Sequence, residues 1–369
     1  MVRRKTYVHE RADWPRLWWD SAAIAGPLAA VRHRQGRLLG RMEGVGLRLR
    51  DETTLRALTR EAVGSSGIEG EAIEAAQVRS SLARRLGMET GGVPVGRGAE
   101  AIATVVLDAT QRFGAALTEE RLFGWHAALF AQGAGGRQPI TVGAWRDDAL
   151  GAMQVVSGWP GRERVHFVAP AAGRVAGEMA AFLAWFEGGA EVDPVLRAAV
   201  AHLWFVTVHP FDDGNGRIGR AIAGLALARS EGTGRRFYSL SERLLRERGA
   251  YYAALEAAQG GGVDVTAWVA WFLGVFDRAL GDAEAVLEAT LRRARVWEGL
   301  AGEAVNARQR GMLERLLDGF EGRLTTSKWA RIAGCSQDTA LRDIEGLVRL
   351  GVLVKEAGGG RSTGYGLAG

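Results

Sequence analysis

The sequence predicts a mainly α-helical protein that carries one small β-hairpin and ends in a winged helix-turn-helix. Three observations point there. Apolar residues recur at helical spacing from Leu196 through Val208 and again from Ile218 to Leu227, on either side of a glycine-rich loop. Two short β-branched runs flank a Gly/Pro turn near residue 160. Toward the C-terminus, two capped helical segments are followed by two strand-like runs about a glycine-rich tip. At 369 residues the chain is long enough for two or three domains. They are read as an N-terminal helical region over 1–90, a central domain over 98–285 and a winged-helix domain over 290–369.

From the N-terminus, Trp14, Trp18 and Trp19 crowd together, and rings of that size are expected in a core because each buries a large apolar area. Thr53 through Val63 has helical spacing and leads to Ser65-Ser66-Gly67-Ile68-Glu69-Gly70, on or just beyond the helix end. Gly87 through Gly98, with Gly91, Gly92, Pro94 and Gly96, reads as a flexible joint. Trp125 to Phe130 reads as a core helix whose His126 is hydrogen-bonded rather than reactive. Gly143-Ala144-Trp145-Arg146 leads into the hairpin, formed by Gln154-Val155-Val156 and Val165-His166-Phe167-Val168 about Gly158-Trp159-Pro160-Gly161. His166 is expected to be a packing or surface residue. Beyond the central loop, Arg248 to Leu255 and Trp268 to Leu273 are aromatic-rich helical runs.

The loop itself, His209-Pro210-Phe211-Asp212-Asp213-Gly214-Asn215-Gly216-Arg217-Ile218-Gly219-Arg220, concentrates the chemistry. Because it opens a helix, unpaired backbone N–H groups and the positive end of the helix dipole are available to an anion. Gly214 and Gly216 remove side chains that would keep a phosphate off the backbone, and Asn215 supplies an amide donor and tolerates a left-handed turn. Arg217 and Arg220 share a helix face and suit two phosphoryl groups. Asp213 is a hard-oxygen ligand for Mg²⁺, and His209 can take a proton from a hydroxyl near neutral pH.

This stretch resembles the Fic family, whose motif His-Pro-Phe-x-Asp/Glu-Gly-Asn-Gly-Arg-x-x-Arg is met at every fixed position. The resemblance covers roughly residues 50 to 275. It implies a Fic-type helical core that moves AMP from ATP to a Ser, Thr or Tyr hydroxyl of a target protein and releases pyrophosphate. His209 would be the base, Asp213 the Mg²⁺ ligand, Gly214, Asn215 and Gly216 the anion cradle, and Arg217 and Arg220 the phosphate grips. The hairpin would be a flap whose exposed edge pairs with the target; on the residues alone it reads equally as a cover for the core. Ser65, Glu69 and Gly70 match the family's inhibitory pattern, in which the glutamate pairs with the last arginine of the loop, here Arg220. The same glutamate is used in some members to remove AMP again. Tyr251 or Tyr252, here taken as Tyr252, would border the adenine, although aromatics at helical spacing read equally as core, and the N-terminal region, with His33 to Arg41, resembles an extension that docks the inhibitory helix. A rival reading is a DNA-binding transcriptional regulator whose Fic-like domain senses nucleotide or only modifies itself.

At the C-terminus, Thr325-Thr326-Ser327 caps a short helix through Ala333, Gly334-Cys335 turns, and Ser336 caps a longer helix to about Leu350. Gln337, Thr339, Arg342 and Arg361 are the candidate DNA contacts. Asp338, Asp343 and Glu345 would repel phosphates, so contact with protein, including a homodimer, stands beside contact with DNA. Composition separates these only weakly: 47 basic residues face 42 acidic ones, a net charge of +5. Cys335 is the one cysteine, which excludes an internal disulfide, and no apolar run suits a signal peptide or a membrane span, so the expected setting is cytoplasmic without a membrane partner.

Overall fold

The structure is a computed structural model and describes residues 6–89, 92–131, 140–149, 151–158, 162, 164–188, 191–356 and 363–368. The chain divides into two compact units, Met1–Ala283 and Glu284–Gly369. A 3-10 turn (Val8–Glu10) precedes α1 (Ser21–Glu43), α2 (Leu47–Ile68), α3 (Ala75–Arg85), α4 (Arg97–Gln111) and α5 (Glu119–Phe130). The hairpin follows as β1 (Gln154–Ser157) and β2 (Arg164–Val168), then α6 (Ala172–Glu187), α7 (Pro194–Val208), α8 (Asn215–Glu231), α9 (Leu240–Arg246), α10 (Arg248–Gln259) and α11 (Thr266–Gly299). The remaining elements are α12 (Ala307–Leu317), α13 (Thr326–Ala333), α14 (Gln337–Arg349), β3 (Leu353–Lys355) and β4 (Tyr365–Leu367). The fold is mainly helical with two small antiparallel pairs.

In the first unit α7 is the central helix. Pro194 opens it, the Asp193 carboxylate accepts from the Val195 N–H at 2.8 Å, and the helix is apolar on all sides and buried along nearly its whole length. α8 packs closely against it at Gly219, where a Cβ would lie 2.9 Å from Val206 Cγ1. α2 is held as tightly to α9. A Cβ on Gly64 would lie 2.6 Å from the Glu242 backbone nitrogen. The buried Glu61 carboxylate accepts from Ser239 Oγ at 2.8 Å and from the Ser241 N–H at 3.0 Å, which places a negative charge at the start of α9. Leu55, Leu58 and Ala62 of α2 join Val78, Leu82, Ile102 and Val106 in one apolar cluster. α2 therefore delivers its C-terminus to a defined place.

Two expectations for the N-terminal half are corrected. The three tryptophans do not form a core: Trp14 donates to Glu178 at 2.7 Å and meets Trp204 edge-on, while Trp18 is 51 % exposed. α1 is fastened by Arg32 to Asp193, Gln35 to Glu231 and Arg34 to Asp277. The glycine-rich joint is also anchored where it is described, since Ser80 Oγ donates to the Val93 carbonyl and the Gly96 N–H donates to Gln77. Met88 and Val95 pack on the α2–α4 cluster, which explains the anchoring, and Gly91 lies outside the described residues.

The hairpin forms where expected, with Gln154 opposite Val168, Ser157 opposite Arg164, and an irregularity between Val155 and Val156. Phe167 is buried under Tyr7 and His9, while Val156 and Val165 are exposed. Trp159, Pro160 and Gly161 of the turn lie outside the described residues. In the second unit, Thr325 and Ser336 cap α13 and α14, and Gly334 turns between them at φ 61°. Trp329, Ile344 and Leu347 fill the core beneath, and Leu353 pairs with Leu367.

Candidate active site

α7 ends at His209, whose backbone is left-handed (φ 52°, ψ 59°), the one non-glycine residue of positive φ among the described residues. Such a conformation costs on the order of 1 kcal/mol or more and persists only where the surroundings enforce it. Three residues do so. The buried Arg146 guanidinium donates to the His209 carbonyl at 2.7 Å, and the Arg146 N–H donates to the Pro210 carbonyl at 2.9 Å. Phe211 is fully buried and stacks on His126 with centroids 4.2 Å apart. Asn215 accepts from the Phe211 N–H at 3.0 Å and donates to its carbonyl at 2.7 Å, closing the loop on itself. Gly214 then caps α8 at φ 79°.

These bonds correct the expectation for Asn215. Its amide does not face an anion, because both ends are committed to Phe211, and its backbone is helical; the left-handed positions are His209 and Gly214. Its contribution to a cradle is the shape of the loop. The missing side chains are also used inside the protein: a Cβ on Gly214 would meet Phe130 at 2.9 Å, and one on Gly216 would meet Glu69 Oε1 at 2.1 Å.

The His209 Nδ1 lies 3.3 Å from the Val206 carbonyl. A carbonyl only accepts, so Nδ1 carries the proton and Nε2 keeps its lone pair. Burial pushes the imidazole down to about 4, so the ring is neutral at physiological pH. Asp213 is 59 % exposed at its side chain, and its carboxylate accepts from the Gly214 N–H.

Both arginines are buried, Arg217 at 6 % exposure and Arg220 at 2 %. Arg220 donates through Nε to Ser65 Oγ at 3.0 Å and through Nη2 to the Ser65 carbonyl at 2.7 Å and to Glu69 Oε1 at 2.8 Å. Burial would raise the Glu69 carboxyl, but Arg220, with Arg217 and His209 farther off, outweighs it and holds it below the usual carboxylate range. Gly70 turns the chain after α2 at φ 84°. Beneath Arg220 lie His202 and Tyr251, 2.8 Å apart, with His202 pushed down to about 4 by burial. Tyr252 is partly exposed and donates to the Ile68 carbonyl at 3.1 Å.

The structure thus brings His209, Asp213, Gly214, Gly216, Arg217, Arg220, Ser65 and Glu69 to one place. Sequence reasoning missed Arg146 and Glu71, whose carboxylate receives both bonds from Arg217 Nη1 at 2.7 Å. The signal for Glu71 was its position two residues past Glu69 across a glycine. In the second unit, Gln337 and Arg342 are exposed on α14, while the Thr339 hydroxyl is paired with Ser336. Arg361 lies outside the described residues. Asp343 does not repel phosphates from the surface, because it turns inward to Arg308 at 2.8 Å and to Asn306 at 2.8 Å.

A helical core whose central helix ends in this loop is the architecture of a Fic protein. Residues 116–227 match the Fic/DOC family, so the chain carries a Fic domain, and residues 7–88 match a domain of unknown function (DUF4172). The fold is similar to that of a Fic family protein from Desulfovibrio desulfuricans, with a TM-score of 0.55 and 22 % identity, covering 96 % of this chain and 99 % of that one. Among relatives, the protein adenylyltransferase Fic-1 of Caenorhabditis elegans is 54 % identical over 39 residues, 11 % of this chain and 8 % of that protein. A "probable protein adenylyltransferase" of Aquifex aeolicus is 31 % identical over 81 residues, 22 % of this chain and 23 % of that protein. The chain therefore spans less than a quarter of the length of either relative. Among the described residues no helix is long and apolar enough to cross a membrane.

Proposed function

We propose that this protein is an adenylyltransferase that transfers AMP from ATP to a hydroxyl of a target protein and is held closed by Glu69. The observation that carries the reading is Arg220, buried at the start of α8 and bonded at once to Ser65 and Glu69. A carboxylate on that guanidinium takes the donors and the space that a phosphoryl group needs.

In the open state the target hydroxyl attacks the α-phosphorus in line, the bond to the bridging oxygen of pyrophosphate breaks, and the hydroxyl proton passes to His209 Nε2. The N–H groups of the first turn of α8 and the two arginines bind the phosphates and oppose the growing charge. Mg²⁺ fits Asp213, whose carboxylate is exposed beside those N–H groups. Bound there, it would neutralise phosphate charge. The exposed edge of the flap suits an extended target segment, and α14 offers Gln337 and Arg342 to a nucleic-acid or protein partner.

The test is incubation with [α-³²P]ATP and Mg²⁺. Glu69→Gly should label a protein, wild type far less, and Glu69→Gly with His209→Ala not at all. An unlabelled Glu69→Gly protein in the presence of lysate refutes the reading.

A further inference from the structure

We propose that Glu71 is a second gate, separate from Glu69, that controls access of nucleotide to Arg217. The inference rests on the nucleotide reading above and concerns a residue that the inhibitory pattern does not include.

The local geometry builds the second gate from the first. Gly70 takes the left-handed conformation, and the Glu71 N–H donates to the Ser66 carbonyl at 3.1 Å, so the chain reverses immediately after Glu69. Two carboxylates separated by one glycine thereby reach two guanidiniums three residues apart on α8: Glu69 takes Arg220 and Glu71 takes Arg217. With Glu69 removed, Arg217 remains paired.

The two pairs differ in character. Glu69, 31 % exposed at its side chain, sits on a buried guanidinium that also bonds Ser65. Glu71 is 44 % exposed, and beside it lies a cavity of about 330 Å³ lined by Ser66, Ile73, Ala101, Phe130 and Arg217, which gives the carboxylate room to swing aside. Arg217 gains from the exchange. Its Nε is buried without a hydrogen-bond partner, and its guanidinium lies 5.1 Å from the Phe130 ring centre. A phosphate oxygen would satisfy a donor that the Glu71 pairing leaves unmade. Glu71 therefore competes with bound nucleotide in the ground state, whereas Glu69 blocks the productive seat at Arg220. Removing Glu71 should lower KM for ATP with kcat changed less than twofold.

The experiment measures MgATP binding by calorimetry on full-length protein carrying His209→Ala, which prevents turnover. Glu69→Gly, Glu69→Gly/Glu71→Gln and Glu69→Gly/Glu71→Ala are compared. Both Glu71 changes should tighten Kd by about threefold to tenfold over Glu69→Gly alone, the range for a partly exposed ion pair with good geometry. Binding by Glu69→Gly that neither Glu71 change alters, or that both weaken, overturns the second gate and leaves the nucleotide reading standing. The weakening result would make Glu71 a ligand of the nucleotide or its metal. Absence of binding in all three proteins overturns both readings.

Discussion

Gly64 lies five residues before Glu69 and has no side chain to meet a substrate, yet Gly64→Ala should both destabilise the protein and release the Glu69 clamp. A Cβ there would sit 2.6 Å from the Glu242 nitrogen, 2.7 Å from the Ser241 carbonyl carbon and 2.9 Å from the Glu242 Cα. All three are backbone, and the segment is pinned by Glu61 to Ser239 and Ser241, so no flexible side chain can yield. α2 must lift from α9 by several tenths of an ångström to reach ordinary contact. Overpacking of that kind costs about 1–3 kcal/mol, against which alanine recovers up to about 1 kcal/mol of helix preference. A net loss of about 1–2 kcal/mol lowers the melting temperature by roughly 2–8 °C in a unit of this size. The displaced helix carries Ser65 and Glu69, so transfer from labelled ATP should rise several-fold over wild type at a temperature where both remain folded. Calorimetric melting and the labelling assay, run on one preparation, test the two halves separately. A variant as stable as wild type would refute the close approach of α2 to α9. A destabilised variant with unchanged transfer would refute the dependence of the clamp on the seating of α2.

Two further outcomes follow from the titrating groups and the loop. The Glu69 carboxyl lies below its ordinary range in the folded protein, so its contribution to stability is present above the unfolded carboxyl pKa and lost as pH falls through the lowered one. The melting-temperature gap between wild type and Glu69→Gln should accordingly be constant from pH 6 to 8 and vanish in acid, and a gap that changes across neutrality would contradict the assignment. Asn215→Ala should cost about 1–3 kcal/mol, because both Phe211 backbone groups lose a buried partner, and should abolish labelling in the Glu69→Gly background. Retained labelling would mean that the loop holds its shape without the amide.

Much of this site was legible because its grammar is local. Helical spacing on both sides of residues 209–220 placed the loop at the start of α8, and the capping residues of Thr325-Thr326-Ser327 and Ser336 placed α13 and α14, since periodicity and capping act within a few residues. The directions of polar side chains were not legible, because they are decided by partners far along the chain. Asn215 carries the right group for an anion but spends it on Phe211. Asp343 looks like a surface charge until Arg308, 35 positions away, is brought beside it. Arg146 stands in an unremarkable stretch and yet holds the His209 carbonyl across 63 positions. The same limit explains Glu71. A motif describes which residues recur at fixed spacing, so it captures the carboxylate that reaches Arg220 and is silent about one whose role depends on where the turn at Gly70 sends the chain next. The left-handed glycine ties the two together: a residue at position 70 that disfavours positive φ would disturb both pairings at once, whereas changes at position 69 or 71 separate them. The number of independent gates on this loop is therefore a property of one turn's geometry rather than of the number of acidic residues near it.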